Sequence, residues 1–219
     1  MSLQLFAHPF SSYCQKVLIA LYENDLPFEL RLLSPENPAT GADFQRLWPL
    51  QKMPLLLDGE RPVMESSIII EYLQQHHAGP VKLIPEAAQA ALEVRMLDRC
   101  FDLYVMTPMQ KAVGDRLRPE EQRDAFGVEE AHALLERSYA WLNERLAGRT
   151  WAAGDSFSLA DCAAAPALFY ADWVQPIGAA FGHLRAYRQR LLQRPSFARA
   201  VDEARPYRPL FPLGAPDRD

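Results

Sequence analysis

The sequence predicts a small α/β domain followed by an all-helical domain. Up to residue 77, short apolar runs alternate with helical patterns. A stretch holding Gly79, Pro80 and Pro85 follows at 78–85 and reads as a linker. Beyond it, every pattern has helical spacing.

The elements follow in order. Residues 3–7 form a short apolar run closed by His8-Pro9-Phe10, a buried strand. Val17, Leu18, Leu21 and Tyr22 then share one helical face, and Ser12-x-x-Gln15 fits a capping box at its start. This helix should stop near Asn24-Asp25. Residues 28–33 predict a second strand, 34–38 a loop and 42–48 a short helix. Residues 55–57 and 62–64 flank Asp58-Gly59 as a hairpin. Glu65 opens a helix with Ile68, Ile69, Tyr72 and Leu73 on one face. Past the linker, a long helix over 86–106 is ended or kinked by Pro108. Another over 120–146 is closed by Gly148. The helix over 158–170 starts with the capping box Ser158-x-x-Asp161. It is apolar on all sides across 162–168, as a central buried helix would be, and Pro166 should bend it. Helices over 181–192 and 195–204 and an irregular tail from about Arg205 complete the chain.

Composition bounds the function. The 219 residues are 49% hydrophobic and 23% charged, ordinary for a globular protein and enough for a core without staples. Lys plus Arg is 23 against 28 for Asp plus Glu, with a pI near 5.6, which argues against non-specific nucleic-acid binding or a polybasic membrane anchor. The 3 cysteines, Cys14, Cys100 and Cys162, have neither disulfide-framework nor metal-ligand spacing, so no metal is expected. The start of the chain has no signal-peptide pattern and no apolar run is long enough to span a bilayer, so the expected location is the cytoplasm.

The chemistry sits at three junctions. Ser11-Ser12-Tyr13-Cys14 lies between a strand and a helix, where backbone N–H groups and the helix dipole favour a thiolate or carboxylate. The four positions echo a C-x-x-C redox site with serine in the nucleophile's place; a hydroxyl forms no mixed disulfide but can hydrogen-bond a thiolate supplied by a ligand. Either serine can instead be a plain helix cap, and Cys14 reads first as a small buried hydrophobe. Met53-Pro54 opens a strand; a cis bond there would present the Met53 backbone to a ligand like a strand edge, and a trans proline is the ordinary alternative. Glu65-Ser66 can be a helix cap, or can hold a zwitterion, with Ser66 and the first helical N–H groups on the carboxylate and Glu65 on the ammonium. Lys52 can meet a second carboxylate.

Together these segments resemble the glutathione transferase family. Ser11-Ser12-Tyr13-Cys14-Gln15-Lys16-Val17 is similar to the serine signature of its theta-like and zeta-like members. Trp48-Pro49-Leu50-Gln51-Lys52-Met53-Pro54 resembles the segment ending in the family's cis-proline, with Trp48 where Asn is usual. Glu65-Ser66-Ser67-Ile68-Ile69-Ile70-Glu71-Tyr72-Leu73 resembles its acidic-Ser-helix motif, and Phe157-Ser158-Leu159-Ala160-Asp161 the capping motif of its central C-terminal helix. The resemblance implies a thioredoxin-like glutathione-binding domain over 1–77, a linker over 78–85 and an all-α domain over 86–219 that contributes the electrophile pocket. It also implies a homodimer. Met53 would pair with the cysteinyl part of glutathione, with Pro54 beside it. Glu65 and Ser66 would hold the γ-glutamyl end, and Lys52 with Gln51 the glycyl carboxylate. Ser11, or alternatively Ser12, would donate to the sulfur.

The expected activity is attack by the glutathione thiolate on a small electrophile, in a detoxification role. Phe10, Tyr104 and Met106 are the expected lining of the electrophile pocket between the domains. The alternatives are glutathione-dependent cis–trans isomerisation of the zeta-like type, thiol–disulfide exchange through Cys14, and a non-catalytic glutathione- or ligand-binding dimer.

Overall fold

Leu3, Leu5, Phe6 and Ala7 put apolar side chains on both faces of β1 (Leu3–Ala7), which therefore lies inside the sheet. The computed structural model describes residues 3–219; the first two residues of the expected first domain lie outside that range. The sheet has the order β2-β1-β3-β4. β2 (Phe28–Leu32) runs parallel to β1, and the hairpin of β3 (Leu55–Asp58) and β4 (Arg61–Met64) adds antiparallel on the other side. One face, through Leu3, Leu5 and Leu56, packs on α1 (Ser12–Glu23) and α3 (Ser66–His76). The opposite face, through Phe6 and Leu55, packs on Phe44 of α2 (Pro38–Leu47). This is the thioredoxin-like mixed sheet, followed by an all-α half.

Local differences from the sequence expectation have clear causes. Ser11, not Ser12, is the N-cap of α1, in extended backbone and with no side-chain capping bond. Gln15 does not close a capping box: its amide donates to the Pro9 carbonyl (2.9 Å) and to the Tyr170 hydroxyl (3.0 Å) across the core. The second helix begins four residues earlier than expected, at Pro38, which suits a first-turn position because its missing N–H has no partner there. In α3 the buried face is Ile69, Ile70 and Leu73; Ile68 is exposed. The linker residue Gly79 is pressed against Asn24, leaving no room for a Cβ, and Asn24 Oδ1 accepts the Val81 N–H (2.9 Å).

The largest difference is at Pro108. α4 (Ala88–Cys100) passes through a π-helical segment (Phe101–Met106) directly into α5 (Thr107–Arg116), so the proline neither ends the helix nor marks its last turn. The Thr107 N–H reaches back five residues to the Asp102 carbonyl, and Thr107 Oγ1 donates to the same oxygen (2.9 Å). Pro108 has no N–H for the Tyr104 carbonyl four residues back; Ser138 Oγ, 2.9 Å away, supplies that oxygen instead. The widened turn absorbs what would have been a break.

α6 (Ala125–Arg145) starts later than expected because Asp124 caps it, accepting the Gly127 N–H (2.8 Å); residues 120–122 form a separate short turn. α7 (Leu159–Val174) carries both bonds of the expected capping box and runs through Pro166 past the expected end. It is buried on all sides, at the centre of the bundle completed by α8 (Gly182–Leu192) and α9 (Pro195–Ala204). The C-terminal residues are not an irregular tail. A 3-10 turn over 205–210 leads to Phe211, which packs on Phe10, Tyr170 and Trp173, and Arg218 returns to Asp172.

Candidate active site

The β1–α1 junction, the loop before β3 and the β4–α3 junction open onto one cleft of about 590 Å³. Ser11, Gln51, Lys52, Met53, Pro54, Glu65 and Ser66 all line it. The Met53–Pro54 bond is cis, and Gln51 two residues earlier has a positive φ of 50°. Glu65 has φ 67° and ψ 118°, a strained backbone for a residue with a side chain, and strain of that kind concentrates where surrounding structure holds a binding geometry. It turns the chain so that Ser66 enters the first turn of α3, buried at 6% exposure. The N-termini of α1 and α3 thus both serve the cleft, which suits anionic groups.

The remaining wall comes from the helical half: Arg99, Asp102, Leu103 and Gln110, with Tyr13 from α1. Beneath it lies a buried ion cluster. Lys16, 1% exposed, lies 2.5 Å from Asp98 Oδ1 and donates to Asp102 Oδ2 (2.8 Å) and Ser67 Oγ (2.9 Å). Ser67 donates onward to Asp98 Oδ2 (2.8 Å), and Arg99 closes the cluster from the cleft side onto Asp98 and Asp102. Burial pushes the Asp102 carboxyl up, with Asp98 adding to the rise and Lys16 and Arg99 opposing it. Burial, reinforced by Asp102, pushes the Tyr13 phenol up to about 12, so it is protonated at neutral pH.

Four expected site residues stand elsewhere. Ser12 is buried in the first turn of α1 and does not line the cleft. Phe10 packs edge-on against Tyr170 and Phe211. Met106 is core, and Tyr104 lines a separate apolar cavity of about 150 Å³ with Cys100, Trp141 and Leu142. Cys14 is also core, its thiol pushed up to about 11 by burial, with Ser11 and the His8 backbone opposing, so it offers no thiolate to the cleft. Tyr13, Arg99, Asp102, Leu103 and Gln110 were missed as site residues. The one sequence signal for the helical wall was Asp102, an acid within the apolar run from Phe101 to Met106.

A second groove of equal volume, between α1 and α9, is lined by Tyr22, Arg199 and Glu203, which bond one another; no helix N-terminus serves it. Among the described residues, no group of three or more His, Cys, Asp or Glu could hold a metal ion, and no helix is long and apolar enough to cross a membrane.

Comparison with known proteins decides the family. The family model for the glutathione S-transferase N-terminal domain matches residues 5–81, and that for the C-terminal domain matches residues 103–195. Glutathione S-transferase 3 of Zea mays is 31% identical over 209 residues, covering 91% of this chain and 93% of that protein. The chain belongs to the glutathione S-transferase family. Two further likenesses bear on this glutathione S-transferase family member. A Vibrio cholerae protein named "Probable maleylacetoacetate isomerase" is 29% identical over 217 residues, covering 94% of this chain and 98% of its own. The crystal structure of a Methylobacterium radiotolerans glutathione S-transferase in complex with glutathione sulfonate is 32% identical, with a TM-score of 0.79, covering 92% of this chain and 95% of that one.

Proposed function

We propose that the protein is a glutathione transferase of the serine type, similar to theta-like and zeta-like members, which activates the glutathione thiol for attack on a small electrophile. The observation that carries this reading is the convergence of Ser11, Met53, the cis Pro54, Glu65 and Ser66 on one cleft that two helix N-termini serve. The Met53 backbone pairs with the cysteinyl unit, Glu65 and Ser66 hold the γ-glutamyl zwitterion, and Lys52 and Gln51 meet the glycyl carboxylate. The Ser11 hydroxyl, which makes no capping bond, donates to the sulfur. A thiol of ordinary pKa, about 8.5, is little ionised at neutral pH, and lowering it by one unit takes about 1.4 kcal/mol, within reach of one hydrogen bond to a charged acceptor. The thiolate then forms its bond to an electrophilic carbon while the leaving group or π pair departs.

This reading divides the chain into a glutathione-binding domain over 1–77, a linker over 78–85 and a helical domain over 86–219. It takes the working form to be a cytoplasmic homodimer that uses no metal, nucleic acid or membrane. The test is the thiolate absorbance of bound glutathione, titrated with pH on wild type and Ser11→Ala. A lowered thiol pKa that reverts in the variant is the expected result. Binding with an unshifted thiol in wild type would remove the activation step, and no binding would favour a non-catalytic module.

Likeness to the Vibrio cholerae relative supports a second reading, cis–trans isomerisation by reversible thiol addition. Turnover of a maleyl-type substrate without net consumption of glutathione would select it.

A further inference from the structure

We propose that the cavity between α8, the end of α7 and the C-terminal segment binds a small phosphomonoester, held by Arg185, Arg188, Gln189 and Arg218. It shares no lining residue with the cleft described above, so the proposal stands apart from the transferase reading.

The cavity has a volume of about 360 Å³. Arg185, Arg188 and Gln189 follow one another at helical spacing on α8, so a single face of that helix brings all three to it. Arg218 comes from the C-terminal segment and Asp172 from the last turn of α7. The surrounding sequence is cationic against the trend of the chain. From Gly182 onward it holds eight arginines against four acids, while the whole chain has a net charge of -5.

Charge balance sets what fits. Asp172, the one acid lining the cavity among the described residues, is already satisfied. Its Oδ1 accepts the Ile177 N–H (2.8 Å), and its Oδ2 accepts from Arg218, whose Nη2 donates to the Asp172 carbonyl (2.9 Å). Arg188 is nine-tenths buried and poorly matched. Its Nη1 reaches the Asp219 carbonyl at 3.4 Å, and its Nη2 makes no hydrogen bond, standing 3.3 Å from the Asp172 oxygen that Arg218 holds. The Asp219 side chain is taken by Arg205 and Arg208. Arg185 is exposed and forms no ion pair among the described residues. With Arg218 balancing Asp172, Arg185 and Arg188 leave the cavity with the complement of a dianion.

A carboxylate is planar, and one guanidinium fork satisfies it. The three terminal oxygens of a phosphomonoester accept from forks on separate sides, as α8 and the C-terminal segment supply them, and the group is close to dianionic at neutral pH. The cavity is several times the size of a bare phosphate, and Pro176 with buried Ile177 gives an organic substituent an apolar contact.

The test is calorimetric titration of the full chain at fixed ionic strength and mildly alkaline pH, with phenyl phosphate, inorganic phosphate and succinate as probes. The expected result is one phenyl phosphate per chain, bound at least tenfold more tightly than either other probe and undisturbed by glutathione. Arg185→Glu changes an exposed side chain, so its thermal unfolding should match wild type while its affinity for phenyl phosphate falls at least tenfold. Equal affinity for inorganic phosphate or succinate would overturn the assignment to a phosphomonoester. Absence of saturable binding, an affinity unchanged in Arg185→Glu, or displacement by glutathione would overturn the site itself.

Discussion

Lys16 Nζ lies 2.8 Å from Asp102 Oδ2, joining α1 of the sheet half to the π-helical segment of the helical half directly below the cleft. Because the lysine also meets Asp98 at 2.5 Å, removing it leaves two buried carboxylates with only the half-exposed Arg99 as a cation beside them. Lys16→Met is expected to cost about 3–5 kcal/mol, the range for breaking a buried pair from one side. Urea unfolding at neutral pH measures it. The deficit should shrink on acidification. A carboxyl whose folded pKa is raised binds protons in the folded state that the unfolded chain releases, so the variant regains stability as pH falls from neutral toward the ordinary carboxylate range. A deficit below about 1 kcal/mol, or one indifferent to pH, would mean the cluster does not act as a charge pair.

The cysteines should respond very differently to a thiol reagent. Cys14 and Cys162 are fully buried and burial holds both thiols above the usual range; Cys100 is half-buried, its thiol also raised by burial with Arg145 opposing, but it is the one with a path to solvent. Native protein at mild alkaline pH is expected to react at Cys100 alone, with the other two appearing on unfolding. Labelling followed by peptide mapping reads this directly, and rapid native modification of Cys14 would revive disulfide exchange through that residue.

Asp161 is fully buried and accepts four bonds: the Ala152 N–H (2.8 Å), the Tyr187 hydroxyl (2.6 Å), and the Ser158 N–H and hydroxyl (both 2.9 Å). Asp161→Ala leaves these donors without a partner, and a loss of about 3–5 kcal/mol is expected from several unmet groups at about 1–3 kcal/mol each, partly relieved by relaxation. Thermal unfolding would show it; a shift of only a degree or two would contradict the hub.

An acid-sensitive link ties the hairpin to the end of α3. His77 Nε2 lies 2.6 Å from Asp58 Oδ2, and Tyr72 donates to the same oxygen (2.9 Å). The His77 bond, helped by Tyr72 and opposed by slight burial, holds the Asp58 carboxyl below its usual range. A depressed carboxylate contributes stability that is present above the unfolded value and lost as pH falls through the folded one, hence below about pH 4. His77→Ala should flatten that limb of the stability profile; an unchanged acid limb would remove this group from acid unfolding.

The parts of the cleft legible in the sequence were those written in consecutive residues. Ser11, Met53-Pro54 and Glu65-Ser66 sit at ends of elements, where chain direction alone decides what they face. The helical wall was not legible because its facing depends on packing. Within six residues, Asp102 and Leu103 reach the cleft, Tyr104 turns to another cavity and Met106 enters the core. A π segment alters the phase of the helix just there, through a bond pattern completed by Ser138, thirty residues beyond Pro108. Ile68 shows the same limit: its residue type suits a core face, but it stands more than half exposed.

The alanine-rich centre of α7, with Ala163, Ala164, Ala165, Ala167 and Ala171 all buried, lets α1 and α4 approach it closely. Ser11 caps helix α1 and Tyr13 stands in its first turn, so the depth at which those two side chains stand in the cleft is set from behind by a helix that contributes nothing to its lining. Methyl groups are the smallest spacers a chiral residue offers. An enlargement on the face of α7 that meets α1 would therefore reach the reacting atoms as a displacement, and the freedom of this site to drift toward new substrates is bounded by residues that no substrate touches.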